Sequence, residues 1–400
     1  MIGAPLLVAM LVACTAGEDL SPSIRARLLK LGPLPAVPQD PTNRYSDDPK
    51  AAEFGRVLFY DKRLSKNNEV SCATCHQPDR AFSDGQPLAK GIEVGTRHTP
   101  SILNAAYQRW LTWDGSADSL WSQALHPFTN PREMGLTHQE LVGRVASIPE
   151  LRINYEKIFG PMPQGQDDPR VMTACANLGK AIAAFERRLV TGPAPFDRWL
   201  AQLRTGNEAP TDFFNAASKR GAILFVGKAD CVRCHAGPTL SDGEFHLIGV
   251  PQADGAAPTD RGRLQGIEKI RKDPFNAAGS HSDAPEGSQA KITRSTAPEG
   301  TTWGSFRTPS LRTAAASPPF MHLGQLASLE AVIDFYNTLQ GATNLDHHSE
   351  TVLQPLNFTA QEQADLVSFL NSLQGSLPKQ SETGDPKGGA PQETSQSDKK

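Results

Sequence analysis

Two five-residue runs in this chain of 400 residues could hold a metal cofactor: Cys72-Ala73-Thr74-Cys75-His76 and Cys231-Val232-Arg233-Cys234-His235. Two thiols three residues apart share one helical turn. There they can add to the two vinyl groups on one edge of a haem, and the histidine that follows reaches the iron as fifth ligand. A redox-active dithiol and half of a zinc site are the competing readings of each pair. Each copy has its own preceding helix pattern, as two separate haem c domains would need and a single shared metal site would not. The two remaining cysteines, Cys14 and Cys175, stand alone, so the six do not form a disulfide scaffold.

The elements that must position these runs repeat as well. Gly55-Arg56-Val57-Leu58-Phe59 precedes the first motif and Gly221-Ala222-Ile223-Leu224-Phe225 the second. Apolar residues at helical spacing then close each unit: Leu178, Ile182, Phe185 and Leu189 on a helix over about 171–190. In the second unit they are Leu329, Val332, Ile333 and Tyr336, followed by Leu366, Phe369, Leu370 and Leu373. Alternating strand patterns are nearly absent, so the pattern predicts two mostly helical domains, joined near 192–211 where Pro193, Pro195 and Pro210 fall. The stretch 249–302 is long for a structureless loop and is expected to wrap the second domain. After Gly375 almost no apolar residue remains, which predicts a disordered tail over 376–400.

Charge and the chain start narrow the classes. Lys and Arg total 40 against 43 Asp and Glu, a net of −3, and no basic stripe exists to grip a phosphate backbone, so nucleic acid is excluded as a partner. Mean hydropathy is −0.40, and no apolar run approaches the roughly 20 residues of a membrane span. Residues 1–14 close on Leu11-Val12-Ala13-Cys14, the pattern of a bacterial lipoprotein signal with Cys14 as the lipidated residue. A plain cleaved signal is the alternative, and either exports the protein. Export favours covalent haem over thiol-ligated zinc.

An electron carrier caps both faces of its haem iron, whereas an oxidant-activating haem keeps one face open beneath polar groups. Between His76 and His98 there is neither His nor Met. The chain then reads Arg97-His98-Thr99-Pro100-Ser101-Ile102-Leu103-Asn104, Trp113-Asp114-Gly115, Gln123 and Asn130-Pro131-Arg132-Glu133-Met134-Gly135. From about 47 to 373 this pattern resembles the bacterial dihaem cytochrome c peroxidases and their MauG-like relatives.

The resemblance implies a mostly α fold of two cytochrome c-like haem domains packed against each other, a peroxide-binding one over 47–191 and a second over 212–375. It places Trp113 between the haems and Gln123 and Glu133 over the peroxide-binding face. A carboxylate there can move a proton from one peroxide oxygen to the other, and an amide can orient them. Tyr336 falls where the peroxidases carry an axial Met and MauG an axial Tyr. The removable His that blocks the first haem in the peroxidases is missing from the loop 85–95. Both features, with the runs 117–125, 260–263 and 273–276, resemble the MbnH-like branch that oxidises tryptophan in a partner protein.

Departures accompany the likeness. The family's interdomain calcium would find carbonyls at Ser317 and Pro319, but His98 replaces its Asn. Ala229 stands where MauG has a tryptophan before the second motif, leaving Trp121, Trp199 and Trp303 as unranked hopping stations. His322 matches a family His near the haem path. Cys175 reads as a small core residue. His126, His138, His246, His281, His347 and His348 lack motif context and read as satisfied or exposed. The leading expectation is therefore an H2O2-dependent oxidase with two haem c groups, periplasmic and lipid-anchored, acting on tryptophan of a protein partner. A cytochrome c peroxidase fed by a small cytochrome or cupredoxin is the enzymatic alternative, and a dihaem electron-transfer protein the non-enzymatic one.

Overall fold

A computed structural model of the chain describes residues 20–252, 258–343 and 353–386. Cys14 and the signal pattern, His347, His348 and 387–400 lie outside them. The first half runs through α1 (Pro22–Leu29), α2 (Pro49–Tyr60), α3 (Cys72–Cys75), α4 (Leu120–Gln123), α5 (His126–Thr129), α6 (His138–Ser147), α7 (Pro149–Phe159) and α8 (Val171–Glu186). The second half contains α9 (Pro195–Arg204), α10 (Ala216–Val226), β1 (Phe245–His246), α11 (Arg263–Lys272), α12 (Ser288–Ser295), β2 (Phe306–Arg307), α13 (Leu329–Thr338), α14 (Ala360–Asn371) and α15 (Gln380–Thr383). No helix among the described residues is long and apolar enough to cross a membrane.

Two apolar cores follow the sequence repeat. In the first, α2 crosses α8 and buries Phe54, Leu58 and Phe59 against Leu178, Ile182 and Phe185. In the second, α10 crosses α14 and buries Ala222, Phe225 and Val226 against Leu366, Phe369 and Leu370. Local chemistry starts these helices. Asp48 caps α2 by accepting from the Lys50 and Ala51 amides, with Pro49 at the first position, and a Thr359/Glu362 capping box opens α14.

The repeated glycine has one reason in both copies. A Cβ on Gly55 would run into the Ala181 carbonyl of α8, and one on Gly221 into the Asp365 carbonyl of α14. Only glycine lets the helix backbones approach this closely. Gly221→Ala is therefore expected to destabilise the second domain by about 1–3 kcal/mol through overpacking, a loss that denaturant titration would detect.

Three connections differ from the sequence expectation. The proline-containing stretch 192–211 is no free linker: α9 within it buries Phe196, Trp199, Leu200 and Leu203 in the second core. Pro195 begins that helix, where a missing N–H costs nothing. Leu20, Leu28 and Leu31 around α1 also join the second core, so the chain starts on the second domain before it builds the first.

Of the stretch 249–302, residues 249–252 stay at the second domain, as expected, but 263–295 wrap the first. The β1/β2 ladder, with Phe245 opposite Arg307, closes its neck. Beyond that neck Phe275 enters the first core, the Ala277 amide and the Thr293 hydroxyl donate to buried Asp118, and Asp283 pairs with Lys180 at 2.7 Å. Polarity hid this course, because the excursion docks mainly through hydrogen bonds and ion pairs. The tail likewise stays packed to residue 386. Ser376 accepts from the Gly192 amide, and the Thr383 and Gly384 carbonyls accept from Tyr60 and Arg56 of α2. Backbone carbonyls anchor it, so the lack of apolar side chains does not free it.

Candidate functional site

At the first motif α3 is one turn, opened by the Ser71/Thr74 capping pair. His76 follows it, and its Nδ1 donates to the Phe82 carbonyl at 3.0 Å. Ala81 and Phe82 both have positive φ, 53° and 58°, which turns that carbonyl back toward the ring. With Nδ1 engaged, Nε2 is the nitrogen left for a metal. The second motif repeats the device: Cys231–Arg233 form a tight turn, and His235 Nδ1 donates to the carbonyl of Leu240 (φ 52°) at 2.9 Å. Arg312 fixes the loop between them. Its guanidinium donates to the Pro238 carbonyl and forms a fully buried two-pronged pair with Asp197 at 2.8 and 3.0 Å.

Cys72, Cys75 and Cys231 do not have the properties of reactive redox thiols. Reactive cysteines are held as thiolates by low pKa values. Burial here pushes Cys75 up to about 12 and Cys231 up to about 12, and Cys72 higher still. Nor do the pairs share a site, since Cys72 packs on the first core and Cys231 on the second. The close grouping Cys234, Asp242 and His246 offers one thiol only, and its His246 Nε2 already donates to Asp242 at 2.9 Å.

A cavity of about 540 Å³ opens at the second motif, lined by Cys231, Cys234, His235 and Tyr336. Trp113, His98, Ser317, Pro319 and His322 line it as well, so the first domain supplies part of the wall. Trp113 Nε1 donates to the His98 carbonyl at 2.9 Å, and Arg307 N donates to the Trp113 carbonyl at 2.9 Å. Glu133 instead belongs with the first motif: both Cys72 and Cys75 feel its charge. Its Oε1 accepts from Asn130 Nδ2 at 2.7 Å, and its backbone is clamped by the loop 85–95, where Ile92 N donates to the Glu133 carbonyl at 3.0 Å. Burial holds its carboxyl above the usual carboxylate range. Gln123 ends α4, half-buried, and no hydrogen bond joins its side chain to Glu133.

Residues 49–205 match the family model described as di-haem cytochrome c peroxidase. The chain is 34% identical to the methylamine utilization protein MauG of Methylorubrum extorquens, over 90% of its own length and 88% of that protein. It belongs to the dihaem cytochrome c peroxidase and MauG family. It is also 34% identical to cytochrome-c peroxidase IdrP1 of Denitromonas iodatirespirans, over 92% of each chain. Among solved structures, a MauG-like protein associated with microbial copper homeostasis superposes with a TM-score of 0.66 at 28% identity, covering 88% of this chain and 98% of that one.

As a family member the protein is a haem-dependent, peroxidase-type oxidoreductase, and membership implies two haem c groups. The residues present fit that cofactor. Besides thiols, imidazole and phenol, the second cavity holds Arg307, fully buried and paired with no carboxylate among the described residues. It donates only to the Thr112 and Thr308 carbonyls, and burial lowers its pKa to about 10. An uncompensated buried cation is costly, and the propionates of a haem are the anions that would satisfy it. The calcium expectation fares differently. His98 Nδ1 donates to the Gln86 carbonyl at 2.7 Å, so this position presents a ring nitrogen where calcium takes oxygen. With Ser317 and Pro319 lining the haem cavity beside it, the donor set does not fit the ion.

Three functional candidates escaped sequence reasoning. Arg307 carried no motif. Glu186 sits beside Cys72, and burial alone pushes its carboxyl up to about 8. Its position four residues after Ile182, on the apolar stripe of α8, was the available signal. His126 is satisfied, as its lack of motif context suggested, but the partner of its Nε2, Asp273 at 2.9 Å next to the Glu133 turn, was not legible.

Proposed function

We propose that this family member uses H2O2 to oxidise tryptophan in a partner protein. In this reading Cys72, Cys75 and His76 would hold one haem, and Cys231, Cys234, His235 and Tyr336 would hold the other. The observation that carries it is the shared cavity of His235 and Tyr336. A tyrosine ligand favours oxidised iron, whereas methionine raises the potential and suits acceptance of electrons. The loop 85–95, lacking His, leaves the first site without the blocking ligand that a peroxidase must remove.

When bound, the haems would supply the site for peroxide and store two oxidising equivalents. The chain's own residues do the rest. Glu133 takes a proton from one peroxide oxygen and returns it to the other, which readies the second oxygen to depart as water when the haems supply the two electrons. Gln123 donates its amide to the bound oxygens. Trp113, in the wall of the second-motif cavity with its indole fixed by the His98 carbonyl, would carry the equivalents between the two sites. A periplasmic location, with lipid on Cys14, belongs to the same reading.

Treating the ferric protein and its co-expressed neighbour with H2O2 is expected to add oxygen to a tryptophan of the neighbour, read by peptide mass spectrometry. Ferric EPR is expected to show one high-spin and one low-spin haem that respond to peroxide at once. Two low-spin haems that respond only after half-reduction would favour the cytochrome c peroxidase that draws electrons from a small cytochrome.

A further inference from the structure

Gln123 and Glu133 come from two short elements, the single-turn helix α4 and the turn after the single-turn helix α5, which the first core holds mainly through Trp121 and Phe128. One carboxylate joins them. Asp273 Oδ2 accepts from Ser122 Oγ, the residue before Gln123, at 2.9 Å and from His126 Nε2, the first residue of α5, at 2.9 Å. The line continues to Glu133. The Asn130 amide donates to the His126 carbonyl, closing α5, and the Asn130 side chain donates to Glu133 Oε1 at 2.7 Å. Asp273 is not part of the first domain's sequence. It ends α11 in the excursion from the second domain, and Phe275, two residues on, anchors it in the first core.

We propose that Asp273 is a positioning residue of the peroxide site, through which the second domain holds Gln123 and Glu133 in register by way of Ser122 and His126. The proposal rests on the reading of Glu133 as the proton-moving group. Asp273 is 10% exposed and His126 one-third exposed, so the clamp is buried at the carboxylate and wet at the imidazole. The site is thereby completed only when the excursion is docked.

His126 also faces Glu133 itself. Glu133 faces Asn130 on its own turn, His126 on α5, Lys269 on α11 and the cysteines of α3. His126 faces Asp273, Glu133 and His138 of α6, and Asp273 further faces Asp118 and Cys175. A cation at 126 favours the carboxylate form of Glu133, the form that accepts the peroxide proton.

The test uses the full-length holoprotein, with haem content and the low-spin signal of the second haem as folding controls. Asp273→Asn and Asp273→Ala are expected to slow the reaction of the first haem with H2O2 at least ~10-fold, because small misplacements of a proton-moving group are costly. His126→Gln is expected to move the acidic limb of the pH profile up by roughly half a unit or more, while His126→Lys keeps it at or below the wild-type position. A packing role alone would not send Gln and Lys in opposite directions. If Glu133→Gln is slow but both Asp273 variants match wild type at every pH, the proposal is overturned alone. If Glu133→Gln itself reacts normally, the underlying reading fails and this one with it. Should the Asp273 variants not fold, the His126 pair decides: equal or absent shifts overturn the clamp's electrostatic link to Glu133.

Discussion

Glu133→Gln is expected to slow the reaction of the ferric protein with H2O2 by about 10²- to 10⁴-fold, the usual contribution of a positioned acid-base group, with both haems still attached. Glutamine keeps the shape and can still accept from Asn130 Nδ2 through its own oxygen, so the loss isolates proton transfer from packing. The pH dependence has a definite sign. Burial, the largest influence on Glu133, raises its pKa, while Asn130, His126 and Lys269 pull it back. Since the carboxylate is the form that accepts the peroxide proton, the rate should rise with pH along a limb lying above the ordinary carboxylate range. That limb should vanish in Glu133→Gln. Stopped-flow absorbance at the haem bands against pH measures both effects, and an unchanged rate would remove Glu133 from the chemistry.

What could be read from the residues depended on how local the determinant was. The two Cys-x-x-Cys-His runs, the paired glycines and the stripe Leu178, Ile182, Phe185, Leu189 are local patterns, and the structure reproduces the duplicated helix crossings they imply. The placement of 263–295 was not legible, because Ala277, Thr293 and Asp283 dock through partners some hundred residues or more away, Asp118 and Lys180, and polar docking leaves no periodicity. The same reason hid the Asp273 clamp on Ser122 and His126. Trp199, one of three candidate hopping stations, could not be judged from sequence either. It lies stacked on Phe214 at 4.6 Å, fully buried in the second core. Trp121 lies buried under Lys180 Nζ at 5.3 Å, a cation that disfavours an oxidised indole. Trp303, half-exposed at the base of the excursion, is left as the station of the three that solvent reaches.

Tyr336→Phe is expected to convert the second haem alone, erasing the low-spin ferric signal and leaving the first haem's high-spin signal and its peroxide response in place. The helix explains the specificity. Ser328 caps α13 by accepting from the Ala331 amide, and Leu329, Val332 and Tyr336 then face one cavity with His235. In that apolar lining, burial raises the phenol above its ordinary pKa, so the neutral form is favoured until a cation offsets the burial. Ferric iron held by His235 would be that cation, and Tyr336 ligation would then couple to oxidation state. Tyr336→Met should keep six ligands but raise the potential of the second haem by roughly 0.1–0.4 V, a part of the roughly 0.8 V over which axial ligands set haem potentials. Such a haem stores oxidising equivalents less readily and accepts electrons more readily. Spectroelectrochemical titration, followed by the partner-oxidation assay, would then show tryptophan oxidation falling while peroxide turnover with a reduced small cytochrome rises. An EPR spectrum unchanged in Tyr336→Phe would exclude this residue as the ligand and with it the distinction between the two branches.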